Sequence, residues 1–418
     1  MSAAETITLG CRLNFAESEA LRARAPSNMV IVNSCAVTAE AVRQTRQAIR
    51  RARRDRPEAR IVVTGCAAEL DPEGFAAMTE VDLVLGNGAK GFSSPGPDPR
   101  FDLSLADETQ QASGPGVHRA PIVRPALGRV PQVPAGFRQR VRSFVAVQTG
   151  CDHRCTFCTI WTARGPSVTL PYPAVREAVA REIDTGAAEI VLTGVDITAV
   201  EGGLGRLCAR LLGDLPQLKR LRLSSLDSVE IDDELLSLIG GEPRLMPHFH
   251  LSLQAGDDLI LKRMKRRHSR RQAVELVERI KAVRPDATIG ADLIAGFPTE
   301  TDEAAWNTLA LLEDCDVVAA HIFPFSPRPG TPAARMPQVD RQAVKERAAR
   351  LRSAAAERRL AWLERQVGTT QPVLIENGEK GHSDGFAPIA VAGSLRGQTG
   401  LASITGRTAD HLIGTFVS

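Results

Sequence analysis

The sequence predicts a three-part α/β protein: an open parallel α/β domain, a larger partial barrel of about six βα units, and a small C-terminal β-barrel. Three observations carry that expectation. Strand-like and helix-like segments alternate twice, first up to Leu85 and again from Phe144 to Gln366. Between them, residues 93–136 lose periodicity and are rich in Gly, Pro and Ser, as a partly extended linker would be. After Gln366 the pattern becomes short β-like runs broken by glycines. The expected boundaries are therefore 1–92, 93–136, 137–366 and 367–418.

In the first domain, Thr6–Leu9 reads as a short strand, Ala16–Arg24 as a helix and Met29–Val32 as a buried strand. Ala39–Arg54 is a helix that lines Arg43, Arg46, Arg50 and Arg54 along one side. Arg60–Thr64 and Val81–Leu85 complete the alternation. Cys11, Cys35 and Cys66 each follow a strand, in a turn flanked by Gly, Asn or Ser. Loops after the C-terminal ends of parallel strands converge in one crevice, so these three distant thiols are expected to meet. The alternative is three ordinary buried cysteines.

The second alternation opens with Val145–Gln148, which leads into Cys151-Asp-His-Arg-Cys155-Thr-Phe-Cys158. Three thiolates at this spacing can hold three corners of a four-iron, four-sulfur cube and leave one iron open. Helix and strand then alternate through Val175–Thr185, Glu189–Thr193, Gly203–Leu212, Arg220–Ser224, Ile231–Ile239 and His248–Leu253. Arg271–Val283, Thr288–Ile294, Ala304–Leu312 and Val317–Phe323 follow, about six units against the eight of a closed barrel. Asp340–Gln366 is a long helix, and Pro372–Glu376, Ile389–Val391, Gly400–Thr405 and His411–Val417 predict a barrel of about five strands. Small barrels of this shape often bind RNA.

Composition narrows the chemistry. Six of the eight cysteines fall into these two groups, and Cys208 and Cys315 read as ordinary packing residues. The N-terminus has no signal-peptide pattern, and no apolar stretch approaches a membrane span, so a cytoplasmic chain without membrane association is expected. Clustered cysteines in that compartment are metal ligands more often than disulfides. Formal charge is only +3, yet arginines cluster over Arg43–Arg60 and Arg119–Arg142, and Lys/Arg over Lys262–Arg271. Each cluster can be a solvated face; three in one near-neutral chain favour an anionic macromolecule as partner.

The ordered motifs resemble those of the radical-SAM methylthiotransferases over nearly the whole chain. Gly10-Cys11 with Asn14, Val-Asn-Ser-Cys35 and Thr-Gly-Cys66 resemble that family's N-terminal cluster domain, and Cys151–Cys158 its radical-SAM motif. Leu192–Ile197, Arg222–Asp227, Leu251–Asp257, Lys262–Arg266, Asp292–Glu300 and Phe323–Pro332 follow in the family's order, and the last fifty residues are similar to a TRAM domain. The resemblance implies two [4Fe-4S] clusters, on Cys11/Cys35/Cys66 and Cys151/Cys155/Cys158, with S-adenosylmethionine as cosubstrate. One S-adenosylmethionine methylates sulfur at the first cluster; a second is cleaved at the second cluster to a radical that removes a substrate hydrogen. A strong C–H bond offers no acid–base route, so a cofactor must perform this step. By position, Phe157, Gly194, Asp227, Gln254, Ile294 and Gly296 are candidate S-adenosylmethionine contacts; the alternative for each is loop ordering.

Three branches of that family act on isopentenyl-adenosine in tRNA, threonylcarbamoyl-adenosine in tRNA, or an aspartate of a ribosomal protein. Thr8-Leu-Gly-Cys-Arg-Leu-Asn14 and Asn33-Ser-Cys-Ala-Val-Thr38 resemble the second branch. The implied partners are the anticodon loop of a tRNA, modified at position 37, and an electron donor such as flavodoxin or ferredoxin; the sulfur donor stays open. A reading of a different class is a non-catalytic iron–sulfur protein that binds RNA or senses redox state.

Overall fold

The computed structural model describes residues 4–23, 25–90, 119–124 and 141–417. In the first domain, β1 (Glu5–Thr8), β2 (Met29–Ser34), β3 (Arg60–Gly65), β4 (Leu83–Leu85) and β5 (Ile122–Val123) form one parallel sheet in that order. The strand β5 corrects the reading of 93–136 as linker throughout: two of those residues pair with β4 at the sheet edge. A parallel sheet is covered on both faces, and here strand parity provides the cover. Val30, Val32, Ile61 and Val63 pack with Ile49 and Ala52 of α2 (Ala39–Asp55). Met29, Ile31 and Val62 point the other way and pack with Leu21 of α1 (Arg12–Arg22). The short α3 (Cys66–Leu70) and α4 (Pro72–Ala76) follow β3 directly.

Six parallel strand positions make up the second domain: β6 (Arg142–Ala146), β9 (Glu189–Thr193), β10 (Leu221–Leu223) continuing as β11 (Ser225–Leu226), β12 (His248–Gln254), β13 (Thr288–Ala295) and β14 (Val317–Pro324). They lie in chain order, as sheets β6-β9-β10 and β11-β12-β13-β14. A small antiparallel pair, β7 (Gln148–Thr149) with β8 (Val168–Thr169), brackets the contiguous cysteine run and α5 (Ile160–Arg164). Between the strands run α6 (Tyr172–Asp184), α7 (Leu204–Asp214), α8 (Asp233–Gly241), α9 (Asp258–Met264), α10 (Arg270–Val283) and α11 (Asp302–Asp314). Side-chain caps from Asp232, Asp257, Ser269 and Thr301 fix where four of these helices begin.

Parity again sorts the strands. Ile190, Leu192, Phe249, Leu251, Ile289 and Leu293 enter one core with the helices, which also buries Cys208 and Cys315. The alternate positions, among them Arg142, Glu189, Arg222, His248, His250 and Asp292, therefore occupy the face turned away from the helices.

After α12 (Arg341–Gln366), β15 (Thr370–Asn377), β16 (Lys380–Ser383), β17 (Pro388–Val391), β18 (Thr399–Arg407) and β19 (Leu412–Phe416) close a five-stranded barrel. The barrel core of Val373, Ile375, Ile389, Val391 and Ile404 also takes in Trp362 and Leu363 of α12. Sequence reading located four of the five strands; β16 gave no strand signal because Gly381, His382 and Ser383 are weak strand formers. Gly381 is required there, since a Cβ would lie 1.9 Å from the Leu374 carbonyl oxygen. The barrel seals the N-terminal ends of the central strands. Arg142 bonds Glu376 at 2.6 Å, Arg220 bonds Asp384, and the Phe386 ring stacks between His248 and His382.

Candidate functional site

Cys11, Cys35 and Cys66 all sit immediately beyond the C-terminal ends of neighbouring strands, at the start of α1, after β2 and at the start of α3. They are brought together as the strand-end argument requires. Each of Cys11 and Cys35 senses the charge of Cys66. Gly10 brings two of the loops into contact: with φ +100°, a Cβ there would meet the Cys35 Sγ at 2.8 Å. Burial pushes the Cys35 thiol up to about 11, so a metal would have to displace its proton.

A buried ion network holds this crevice, and sequence reading did not find it. Arg164, the last residue of α5, directs Nε to the Cys66 Sγ at 3.3 Å and Nη1 to Glu17 at 2.6 Å. Its Nη2 donates to Asn14 Oδ1 at 2.7 Å. Lys90 closes the network on Glu17 at 2.5 Å. Burial alone would raise the Glu17 carboxyl, but Arg164 and Lys90 reverse this and hold it at about 2. An acid and a cation at zero to five per cent side-chain exposure survive only as partners. The signal available in sequence was Glu17 in the middle of a helix whose neighbours Ala16, Ser18, Ala20 and Leu21 are all buried.

The second group is built differently. Cys151, Cys155 and Cys158 share one loop, tied down where Thr156 donates Oγ1 to the Arg263 carbonyl at 2.8 Å and its N–H to that of Met264. Gly150 precedes the loop with φ +73°, where a Cβ would collide with the Pro166 carbonyl. Burial pushes Cys151 up to about 12 and Cys158 up to about 11. His153 faces Asp196 at 3.5 Å, Glu230 at 3.6 Å and Asp227 at 3.9 Å. A hydrogen bond to Glu230 leads the forces that raise the His153 pKa. Arg266 lies 3.8 Å from the Cys155 Sγ and bonds Asp227 at 2.8 Å.

The two groups are neighbours. Cys158 senses the charge of Cys66, and only the turn of α5 separates Cys158 from Arg164. All eight cysteines are free thiols. Two sets of three thiols, each beside an arginine N–H and neither consumed by a disulfide, fit three-ligand iron–sulfur sites.

The candidate cofactor contacts divide. Asp227 and Gln254 stand at strand ends; Asp227 reaches the second group through His153 and Arg266, and Gln254 has φ +68°, a strained backbone for a side-chain-bearing residue. Phe157 and Ile294 belong to one apolar cluster with Phe297, whose ring meets Phe157 edge-on at 6.4 Å. The need for glycine at Gly194 and Gly296 has a packing cause: a Cβ would meet the Gln148 carbonyl oxygen at 2.8 Å and Val344 at 2.5 Å, respectively.

The basic clusters also look different in three dimensions. Arg43, Arg46, Arg51 and Arg53 pair with Glu40, Asp71, Asp55 and Asp82. Arg266 and Arg267 turn inward to Asp227 and Glu230. Arg129, Arg138 and Arg140 of the third cluster lie outside the described residues.

Residues 4–86 match the family described as "Uncharacterized protein family UPF0004", and residues 145–312 the "Radical SAM superfamily". The threonylcarbamoyladenosine tRNA methylthiotransferase MtaB of Rickettsia prowazekii is 41% identical, over 92% of this chain and 90% of that protein. The chain belongs to the radical-SAM tRNA methylthiotransferases. It is an enzyme that transfers an alkylthio group. The MtaB protein of Thermotoga maritima is 34% identical over 88% of this chain and 85% of that protein. A tRNA-2-methylthio-N(6)-dimethylallyladenosine synthase of Erythrobacter litoralis is 32% identical over 84% and 78%. Among solved structures, the radical S-adenosylmethionine methyltransferase TsrM of Kitasatospora setae shares the fold, with a TM-score of 0.53 at 16% identity, over 75% of this chain and 65% of that one. Among the described residues, no helix is long and apolar enough to cross a membrane.

Proposed function

We propose that this methylthiotransferase converts threonylcarbamoyl-adenosine at tRNA position 37 to its 2-methylthio derivative, using two [4Fe-4S] clusters and S-adenosylmethionine. The observation that carries the reading is Arg164, which ties the radical-SAM loop to the N-terminal thiol crevice through Cys66, Glu17 and Asn14. Cys11, Cys35 and Cys66 hold one cluster, and Cys151, Cys155 and Cys158 the other. When bound, the clusters supply the electron that cleaves S-adenosylmethionine and the site at which sulfur is methylated.

The chain's own residues perform the rest. Arg266 and the His153–Asp196–Glu230 group order the loop around the second thiol set, and Arg164 and Lys90 keep Glu17 ionised beneath the first. Phe157 and Ile294 present apolar surface that excludes water beside the adenine, while Gly194, Gly296, Asp227 and Gln254 shape the strand-end loops around the cosubstrate. The six strands form a partial (β/α)6 barrel, and the five-stranded barrel serves as a TRAM-like RNA-binding domain at residues 367–418. A flavodoxin or ferredoxin supplies electrons. Preference for the threonylcarbamoyl branch rests on the 41% identity to the Rickettsia MtaB protein, against 32% for the Erythrobacter dimethylallyladenosine synthase.

Deleting the gene and analysing tRNA nucleosides by mass spectrometry tests the reading. Methylthio-threonylcarbamoyl-adenosine should vanish while its unmethylthiolated precursor accumulates. Its persistence, with loss of the isopentenyl-derived nucleoside instead, would overturn the branch assignment.

A further inference from the structure

Filled barrels of parallel strands usually pack branched apolar side chains inside. The inner face of this strand arc is polar instead. Arg142, Arg220 and Arg222 converge on a single carboxylate, Glu189, at 2.6, 3.1 and 2.9 Å. Across the arc, His250 and His321 both bond the same oxygen of Asp292, at 3.0 and 3.1 Å. Phe386 of the terminal barrel, stacked on His248 with Arg142 and Arg222 over its ring, forms the floor.

Arg12 enters this interior from the side. It is the first residue of α1, which packs on the edge strand β6, and it follows the thiol Cys11 directly. Its electrostatic neighbours are Arg142, Glu189, Arg222, Asp292 and His248, drawn from five different strands. Glu189 is already shared by three arginines and Asp292 by two histidines. Arg12 is half-buried, and among the described residues its side chain makes no hydrogen bond or ion pair. An unpaired, partly desolvated guanidinium beside two others is unfavourable until an anion arrives. The planar fork of arginine suits a carboxylate in particular.

We propose that Arg12 is a specificity residue that pairs with a carboxylate on the N6 substituent of the target adenosine. This inference rests on the proposed substrate, whose threonyl group carries such a carboxylate where an isopentenyl group has none. A second source of the same chemistry is the amino-acid end of S-adenosylmethionine, and the test separates the two.

The reconstituted holoenzyme is assayed on two tRNAs, one bearing threonylcarbamoyl-adenosine and one with its threonyl carboxylate converted to the methyl ester. Each rate is divided by the iron content of the same preparation. The ester should lower kcat/KM by about 30-fold, as loss of a charged hydrogen-bond partner does. Arg12→Gln should lose about as much on the carboxylate tRNA and show no further loss on the ester, and Arg12→Lys should recover part of it. Equal wild-type rates on both tRNAs overturn the proposal, and so does an Arg12→Gln defect of equal size on both. A raised KM for S-adenosylmethionine with discrimination intact assigns Arg12 to the cosubstrate and also overturns it. Should Arg12→Gln lose its iron, Arg12→Lys is compared with wild type on the same two tRNAs: a loss confined to the carboxylate tRNA supports the proposal, and wild-type rates on both, or an equal loss on both, overturn it. A wild-type enzyme inactive on the carboxylate tRNA but active on isopentenyl tRNA sinks the substrate reading itself, and this inference falls with it.

Discussion

The two thiol groups are assembled in opposite ways. The first draws its cysteines from three loops some thirty residues apart, and long-range charge pairing holds it together: Arg164 and Lys90 on Glu17, all nearly free of solvent. The second places its cysteines in one eight-residue loop and surrounds them with a mixed set, Arg266 and Asp227 buried but His153 and Glu230 at 17 and 20 per cent exposure. A site assembled from distant segments needs a rigid frame, because each separate loop must be fixed independently. A contiguous loop needs less frame and can leave one side open to a cosubstrate. The first region should therefore respond to mutation through stability, and the second through turnover.

The sharpest way to break this contrast is to remove one ligand from each group. Cys155→Ala should abolish S-adenosylmethionine cleavage, a loss of at least about 1,000-fold measured as 5′-deoxyadenosine released under dithionite. Cys35→Ala should leave cleavage within a few-fold of wild type and eliminate methylthio product. Equal loss of cleavage in both variants would mean that the two groups do not have separate roles.

Next in size is the frame. Arg164→Met leaves Glu17 with Lys90 alone and takes from Asn14 its buried guanidinium donor, and should destabilise the fold by about 3–5 kcal/mol, read from urea unfolding of the metal-free protein. Arg266→Met breaks a pair almost as buried, both side chains at 7 per cent exposure, but one that ties a single carboxylate beside the second thiol set; it should cost less stability than Arg164→Met and lower turnover more. Reversal of that order would erase the distinction drawn between the regions.

The frame also has an acid signature. Glu17 sits at about 2 in the folded protein against an ordinary 4.5. A carboxyl whose pKa is depressed on folding stabilises fully above its unfolded value and loses that contribution as pH falls through the folded one. Glu17 should therefore contribute about 3 kcal/mol at neutral pH, lost between about pH 4.5 and 2. Glu17→Gln should flatten this limb of the stability–pH curve and lower stability at pH 7. A parallel acid limb in the variant would assign the effect to other carboxyls.

How much of this was legible in the sequence follows the same division. The second group was readable because its spacing is local, and so were the strands that lead to Cys35 and Cys66, because short continuous apolar runs bounded by turn residues mark Met29–Ser34 and Arg60–Gly65 as strands buried on both faces. The Arg164–Glu17–Lys90 network was not readable, since its members are separated by 147 and 73 positions and only the tertiary fold makes them neighbours. Strand β5 was hidden for a similar reason: two residues among prolines carry no periodic signal until β4 supplies an edge to pair with. The arginine runs misled in part, because a count of cations cannot show that Arg53 is spent on Asp82 or Arg266 on Asp227.

That last correction bears on the smallest prediction. If about five cations contact phosphates, tRNA affinity should fall with salt at a log–log slope of about −3.5 to −4.5. Among the described residues of the two basic runs, Arg54, Lys262 and Lys265 are exposed and carry no ion pair, so they can meet a phosphate without breaking an existing contact. Arg51 must first leave Asp55, although an exposed pair of that kind holds it by only about 0–1 kcal/mol. Arg54→Ala, Lys262→Ala and Lys265→Ala should each make the slope shallower by about 0.7–0.9, measured by filter binding across a salt series. Arg164→Met should leave the slope unchanged even where it weakens folding, since a guanidinium committed to Glu17 inside the frame has no phosphate to meet. A slope that responds to Arg164 but not to Lys262 would place the tRNA against the crevice and not along the basic runs.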